Sequence, residues 1–168
     1  MIIKIFSSSS VEQSVKKLFK HVPDCWYDSY IDSEGICQPF IESSKREACD
    51  DAIKDFKIWW KVCGPTRLDA YKECYSIVIY FNPNDREISR IEQIELIKDW
   101  ISGMGLKPDD IFFISYLGNE SIPKPIHMVL SRANIKRGPL LKLNKWKNVF
   151  VAREIEKKYN LIPTESCL

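Results

Sequence analysis

No stretch of this chain carries about 18 consecutive apolar residues, so no membrane-spanning helix is expected. The opening residues lack a basic segment followed by an apolar one, so no secretory leader is expected and a cytoplasmic location follows, with no membrane insertion. No C-x-x-C pair occurs among the six cysteines (Cys25, Cys37, Cys49, Cys63, Cys74, Cys167). Their wide spacing argues against a zinc site and, without a leader, against a disulfide framework, so they are expected to be ordinary reduced thiols. Repeats, low-complexity tracts and linkers are absent, so one domain is expected over residues 1–162, with a frayed tail over 163–168. Histidine is scarce, with only His21 and His127 in 168 residues.

Apolar residues make up 45% of the chain and aromatics 12%, enough for a folded core. The formal charge is only +2, but its distribution is uneven. Residues 122–158 carry ten Lys and Arg against two Glu, a net of +8, while the residues before them carry a net of −5. A polyanion is therefore the expected partner of the C-terminal third.

Along the chain, residues 1–6 (MIIKIF) are β-branched and apolar, as in a strand. A serine turn follows, with Ser9 or Ser10 placed to cap a helix on which Val11, Val15, Leu18, Phe19 and Val22 recur at helical spacing, up to Pro23. His21 falls near its last turn, where a cation suits the helix dipole. Residues 24–41 are irregular, acidic and aromatic. Ser44 and Glu47 form a second capping pattern, for a helix reaching about residue 62 and closed by Gly64-Pro65.

A near-continuous apolar run at 74–81 reads as a central strand. Ser89 caps a helix whose inner face is expected to be Ile91, Ile94, Ile97 and Ile101, stopped by Gly103 and Gly105. A strand at 110–116 and a connection at 117–125 come next. Residues 135–144 form a basic loop in which Gly138-Pro139 is a turn and not a phosphate loop. A last helix at 145–159 follows, capped by Asn144, with Val149, Ala152, Ile155 and Tyr159 on its more apolar side.

The organising stretch is 122–134, IPKPIHMVLSRAN. Strand alternation puts Ile126, Met128 and Leu130 on one face and His127, Val129 and Ser131 on the other. The first set wants a core, and the second is expected on an open face. The element order gives an α+β fold: an antiparallel sheet of about five strands with helices packed on one face, a palm-like plan.

Three segments carry a family resemblance: MIIKIF with its serine turn and helix; P-I-H-M-V-L-S-R; and G-P-L-L-K-L-N-K-W with N-V-F-V-A-R-E-I-E-K-K-Y-N-L. Together they resemble the relaxases, plasmid mobilisation endonucleases of the HUH superfamily, most closely toward the C-terminus. The resemblance implies a five-stranded antiparallel sheet with helices behind it. It also implies nicking of one DNA strand by a tyrosine from the first helix, with three histidines holding a divalent metal that polarises the phosphate.

Carried over, that machinery is mostly missing. The second histidine of the family's H-x-H strand corresponds to His127, while the first position is Pro125, which offers no side-chain ligand. The third histidine should fall near Ser115-Tyr116-Leu117-Gly118, which has none, and the tyrosine's place is taken by His21. The resemblance therefore implies transfer-origin DNA, single-stranded or hairpin, as the ligand, with nicking impaired or lost. No cofactor is expected. If cutting persists, His21, Tyr27 or Tyr30 is the candidate nucleophile, and His127 with Ser115 and Glu120 the candidate holder of Mg²⁺ or Mn²⁺.

Lys124, Arg132, Lys136, Arg137, Lys142, Lys145 and Lys147 are the candidate phosphate contacts, and Tyr27, Tyr30 and Trp146 candidate stacking platforms. For Trp146 a core position is the stronger expectation. Other mobilisation proteins are possible partners, and a fold kept only for protein contact through the acidic insert at 24–35 is a further alternative.

Overall fold

The computed structural model describes residues 1–6, 9–21, 30–31, 37–38, 45–64, 72–117, 125–136 and 139–164. Strand β1 (Ile2–Ile5) leads to helix α1 (Val11–Phe19). A two-strand pair, β2 (Tyr30–Ile31) with β3 (Cys37–Gln38), precedes helix α2 (Lys45–Cys63). Then come β4 (Cys74–Tyr80), α3 (Arg90–Gly103), a short 3-10 turn (Pro108–Asp110), β5 (Ile111–Tyr116), β6 (Ile126–Asn134) and α4 (Lys145–Lys158).

The main sheet has the order β1-β4-β6-β5, every neighbour antiparallel, so β6 is a central strand. Among the described residues it has four strands, not the five expected. The tiny β2–β3 pair is a separate sheet.

Local chemistry sets most element ends. Ser10 accepts from the N–H of Gln13 at the start of α1, and Ser89 and Glu92 close a reciprocal capping box on α3. Asn144 accepts from the N–H groups of Trp146 and Lys147 at the start of α4. Gly105 has φ +86°, a conformation glycine adopts freely, and turns the chain after α3. Helix α1 ends at Phe19, three residues before the expected limit, and His21 closes the turn with its N–H on the Leu18 carbonyl at 3.0 Å. Pro23 lies outside the described residues.

One face of the sheet behaves as expected. Ile126, Met128 and Leu130 are buried together with Ile77, Ile79 and Phe113 under α3 and α4. Two helix faces differ from the sequence reading. On α3 the buried set is Gln93, Leu96, Ile97, Trp100 and Ile101, while Ile91 is exposed. Apolar residues spread over a wide arc of this helix, from Leu96 and Trp100 round to Ile94 and Ile91, so spacing alone left its rotation open. On α4, Asn148, Val151, Ala152, Ile155 and Glu156 face inward and Val149 faces outward. Asn148 is the anchor: its Oδ1 accepts from Trp100 Nε1 and its Nδ2 donates to the Ile3 carbonyl, both at 2.8 Å. Buried Glu156 is satisfied by the Met1 amino group, the Arg153 guanidinium and the Thr164 N–H.

The other face overturns an expectation. Helices were expected on one side only, with His127, Val129 and Ser131 looking onto open space. Instead α1 and α2 lie there too, and Val129 and Ser131 are buried. Val11, Val15, Leu18 and Phe19 of α1 and Ala52, Ile53 and Phe56 of α2 have apolar stripes that must be covered, and Ile114, Tyr116 and Val129 cover them. Trp59 stacks near Phe112 and donates to the Ala133 carbonyl, fixing α2 over the far end of β5 and β6.

Candidate functional site

The α1–α2 layer stops short of one corner of the sheet. In register across that corner run Lys4, Val78, His127 and Tyr116, all on the same face. The packing of α1 sets its C-terminal turn over this row. As a result the chain's two histidines meet: the rings of His21 and His127 are stacked, 3.8 Å between centroids and 14° from parallel. They line a cleft of about 250 Å³ together with Phe6, Lys17, Val78 and Tyr80.

Two cation–aromatic pairs frame the cleft. Lys17 Nζ lies 4.9 Å from the centre of the Phe6 ring and Lys4 Nζ lies 5.3 Å from that of Tyr80. Burial, then His21, then the Lys17 ammonium hold His127 down to about 4, so its imidazole is neutral at physiological pH. At the closed end of α1, burial pushes the Cys74 thiol up to about 11, which makes it inert. Cys63 and Cys74 are free thiols and, like Cys49, are buried.

Of the metal ligands the resemblance suggested, few converge. Ser115 pairs with Met128 and so lies on the opposite face of the sheet, a correction to its proposed partnership with His127. Glu120 lies outside the described residues. Stacked imidazoles each bind an ion in their own ring plane, and these planes are nearly parallel and 3.8 Å apart, so His21 and His127 cannot chelate one ion as they stand. Among the described residues no three His, Cys, Asp or Glu side chains form a cluster fit for a metal. Among the described residues the donor set does not fit a divalent ion.

The predicted phosphate contacts are dispersed. Arg132 sits about 16 Å along β6 from His127 at the usual strand rise, on the other face. Its guanidinium is occupied by the Lys72 and Leu141 carbonyls and lies over Tyr75. Lys136 pairs with Asp110 at 3.0 Å. Lys142, Lys145 and Lys147 are exposed around the start of α4, on the sheet's other side. Lys124 and Arg137 lie outside the described residues, as does Tyr27; Tyr30 is in β2, paired with Gln38. Trp146, expected in the core, is 78% exposed because α4 turns its Asn148–Val151–Ile155 side inward.

The cation beside the histidines is Lys17, with Lys4 two strands away from His127 and over Tyr80; both lie in a part of the sequence with net negative charge. The spacing of Lys17 and His21, four residues apart and therefore on one helical flank, was the available signal. Among the described residues no helix is long and apolar enough to cross a membrane. Comparison of the chain with family models, characterised proteins and solved structures finds no match.

Proposed function

We propose that this chain is a relaxase-like DNA-binding domain of plasmid or conjugative-element mobilisation that holds single-stranded or hairpin origin DNA in the cleft between α1 and the β1–β4–β6 corner, without cutting it. The observation that carries this reading is the stacking of His21 on His127, the two positions at which the resemblance put the nucleophile and a metal ligand. A fold relationship would bring those two positions together in space, and they are together here. The loss of cutting is supported by the ring planes, which cannot share an ion, and by Pro125 at the other ligand position.

Binding chemistry remains available without an ion. Neutral His127 offers a ring nitrogen to a base. Phe6 and Tyr80 provide aromatic surface, and Lys4 and Lys17 provide charge for phosphates. Gel shift or anisotropy with single-stranded and hairpin oligonucleotides over a salt series tests the proposal. Binding that weakens with salt and is impaired by His127→Ala and Lys17→Glu is expected; absence of binding at low salt defeats it.

The same contact keeps one alternative in view. An active nickase would use His21 as nucleophile, with a nitrogen–phosphorus bond forming as the 3′-oxygen leaves with a proton to become a 3′-hydroxyl. Incubating supercoiled plasmid with Mn²⁺ separates the two readings. Nicking abolished by His21→Ala supports the nickase, and intact plasmid supports the binding domain.

A further inference from the structure

We propose that the outer face of α4 is a peripheral contact for an anionic lipid bilayer, independent of the histidine cleft. Trp146, Val149 and Phe150 fall at i, i+3 and i+4, on one side of the helix. That side is opposite the buried Asn148, Val151, Ala152 and Ile155, so its two rings lie outside the core. Trp146 is 78% exposed and Phe150 65%, an unusual pair of large rings to leave in water on one helical turn.

The charges around the ridge identify its partner. In the second half of α4 the cations are neutralised at home: Arg153 by Glu156, Lys157 by Glu154, and Lys158 by Asp99. Around the first half, Lys142, Lys145 and Lys147 have no ion pair among the described residues. Lys145 and Lys147 flank Trp146, about 100° to either side at helical pitch. An apolar ridge with lysines on both flanks is the arrangement of a helix lying in a membrane interface. There the aromatics enter the headgroup boundary and the lysines reach anionic phosphates.

Other occupants fit less well. A second copy would bring six unpaired lysines together. A nucleic acid strand stacked on Trp146 would leave Val149 and Phe150 in water, whereas a bilayer takes all three. The surface is also convex, which a deformable interface accepts.

The test is sedimentation of the full chain with phosphatidylcholine vesicles containing or lacking phosphatidylserine, at low and high salt. Expected are binding to the phosphatidylserine vesicles only, weakening with salt, and a blue shift of tryptophan emission. Combined Trp146→Ala and Phe150→Ala should lower the vesicle partition about tenfold or more. Lys142→Glu with Lys145→Glu should lower it similarly, with an unchanged urea midpoint showing that the fold is kept. Failure of the wild-type chain to sediment overturns the proposal, as does a partition the aromatic variants leave unaltered. So does loss of oligonucleotide binding in the Trp146→Ala variant of a chain that ignores vesicles, which would make the ridge a nucleic acid surface. Oligonucleotide binding through the cleft survives the α4 variants, so the two surfaces stand or fall separately.

Discussion

The imidazole of His21 lies flat on that of His127, 3.8 Å away, although one ring belongs to the turn closing α1 and the other to the central strand β6. The contact ties the free end of the first helix to the sheet and forms one wall of the cleft. It also depends on at least one ring being uncharged, because two stacked imidazolium cations repel.

Acid should therefore loosen this corner. His127 is held down to about 4 in the folded chain, against an ordinary value near 6.5. Between those values the unfolded chain binds more protons, so stability falls as pH drops from about 6.5 to about 4, and this group contributes no further loss below that. The loss is on the order of 1–2 kcal/mol once solvent screening of the half-buried ring is allowed for. Urea unfolding across that range measures it, and His127→Phe should remove this component of the slope. A wild-type slope unchanged in the variant would show that other groups carry it.

Oligonucleotide affinity should follow the cleft and not the basic C-terminal segment. Lys17→Glu is expected to weaken binding about tenfold at low salt and to flatten the salt dependence. Arg132→Ala should cost stability instead, because its guanidinium serves the Lys72 and Leu141 carbonyls. Anisotropy titrations beside urea midpoints separate the two effects.

Asn148 should be costly to replace. Asn148→Leu removes both hydrogen bonds of a buried bridge, leaving Trp100 Nε1 and the Ile3 carbonyl without them. A loss of about 2–4 kcal/mol in urea unfolding is expected. A smaller change would mean that water reaches those groups.

Gly103 should resist even alanine. A Cβ there would meet Val151 Cγ1 at 2.6 Å, where α3 and α4 touch. Alanine's better helix propensity does not offset that overlap, and Gly103→Ala is expected to cost about 1–3 kcal/mol. Adding Val151→Ala should recover part of it, because the cycle removes the clashing methyl. Additive losses in the double variant would place the strain elsewhere.

The sequence by itself determined what is decided within a few residues. Ser10, one of the two serines offered for α1, Ser89 and Asn144 cap the helices they were expected to cap, because a cap needs only its own first turn. The alternation in β6 put Ile126, Met128 and Leu130 in a core, since a strand's two faces follow from its geometry. The antiparallel α+β plan follows from these elements and their order.

Only the tertiary structure decided what covers the second face, which way α3 and α4 rotate, and which cations remain free. These outcomes depend on residues far apart in the chain. Arg132 and Lys136 look like phosphate ligands in a list of charges, but folding gives them the Lys72 and Leu141 carbonyls and the Asp110 carboxylate. Trp146 looks like a core residue until Asn148, two positions on, finds Trp100 and Ile3 and turns its own side of the helix inward. His21 reads as a helix-end cation, and only the docking of Val15, Leu18 and Phe19 onto the sheet and α2 carries it to His127. Local patterns record the period of a helix or strand, whereas the partner each face meets is fixed by long-range packing, which no window of neighbouring residues contains.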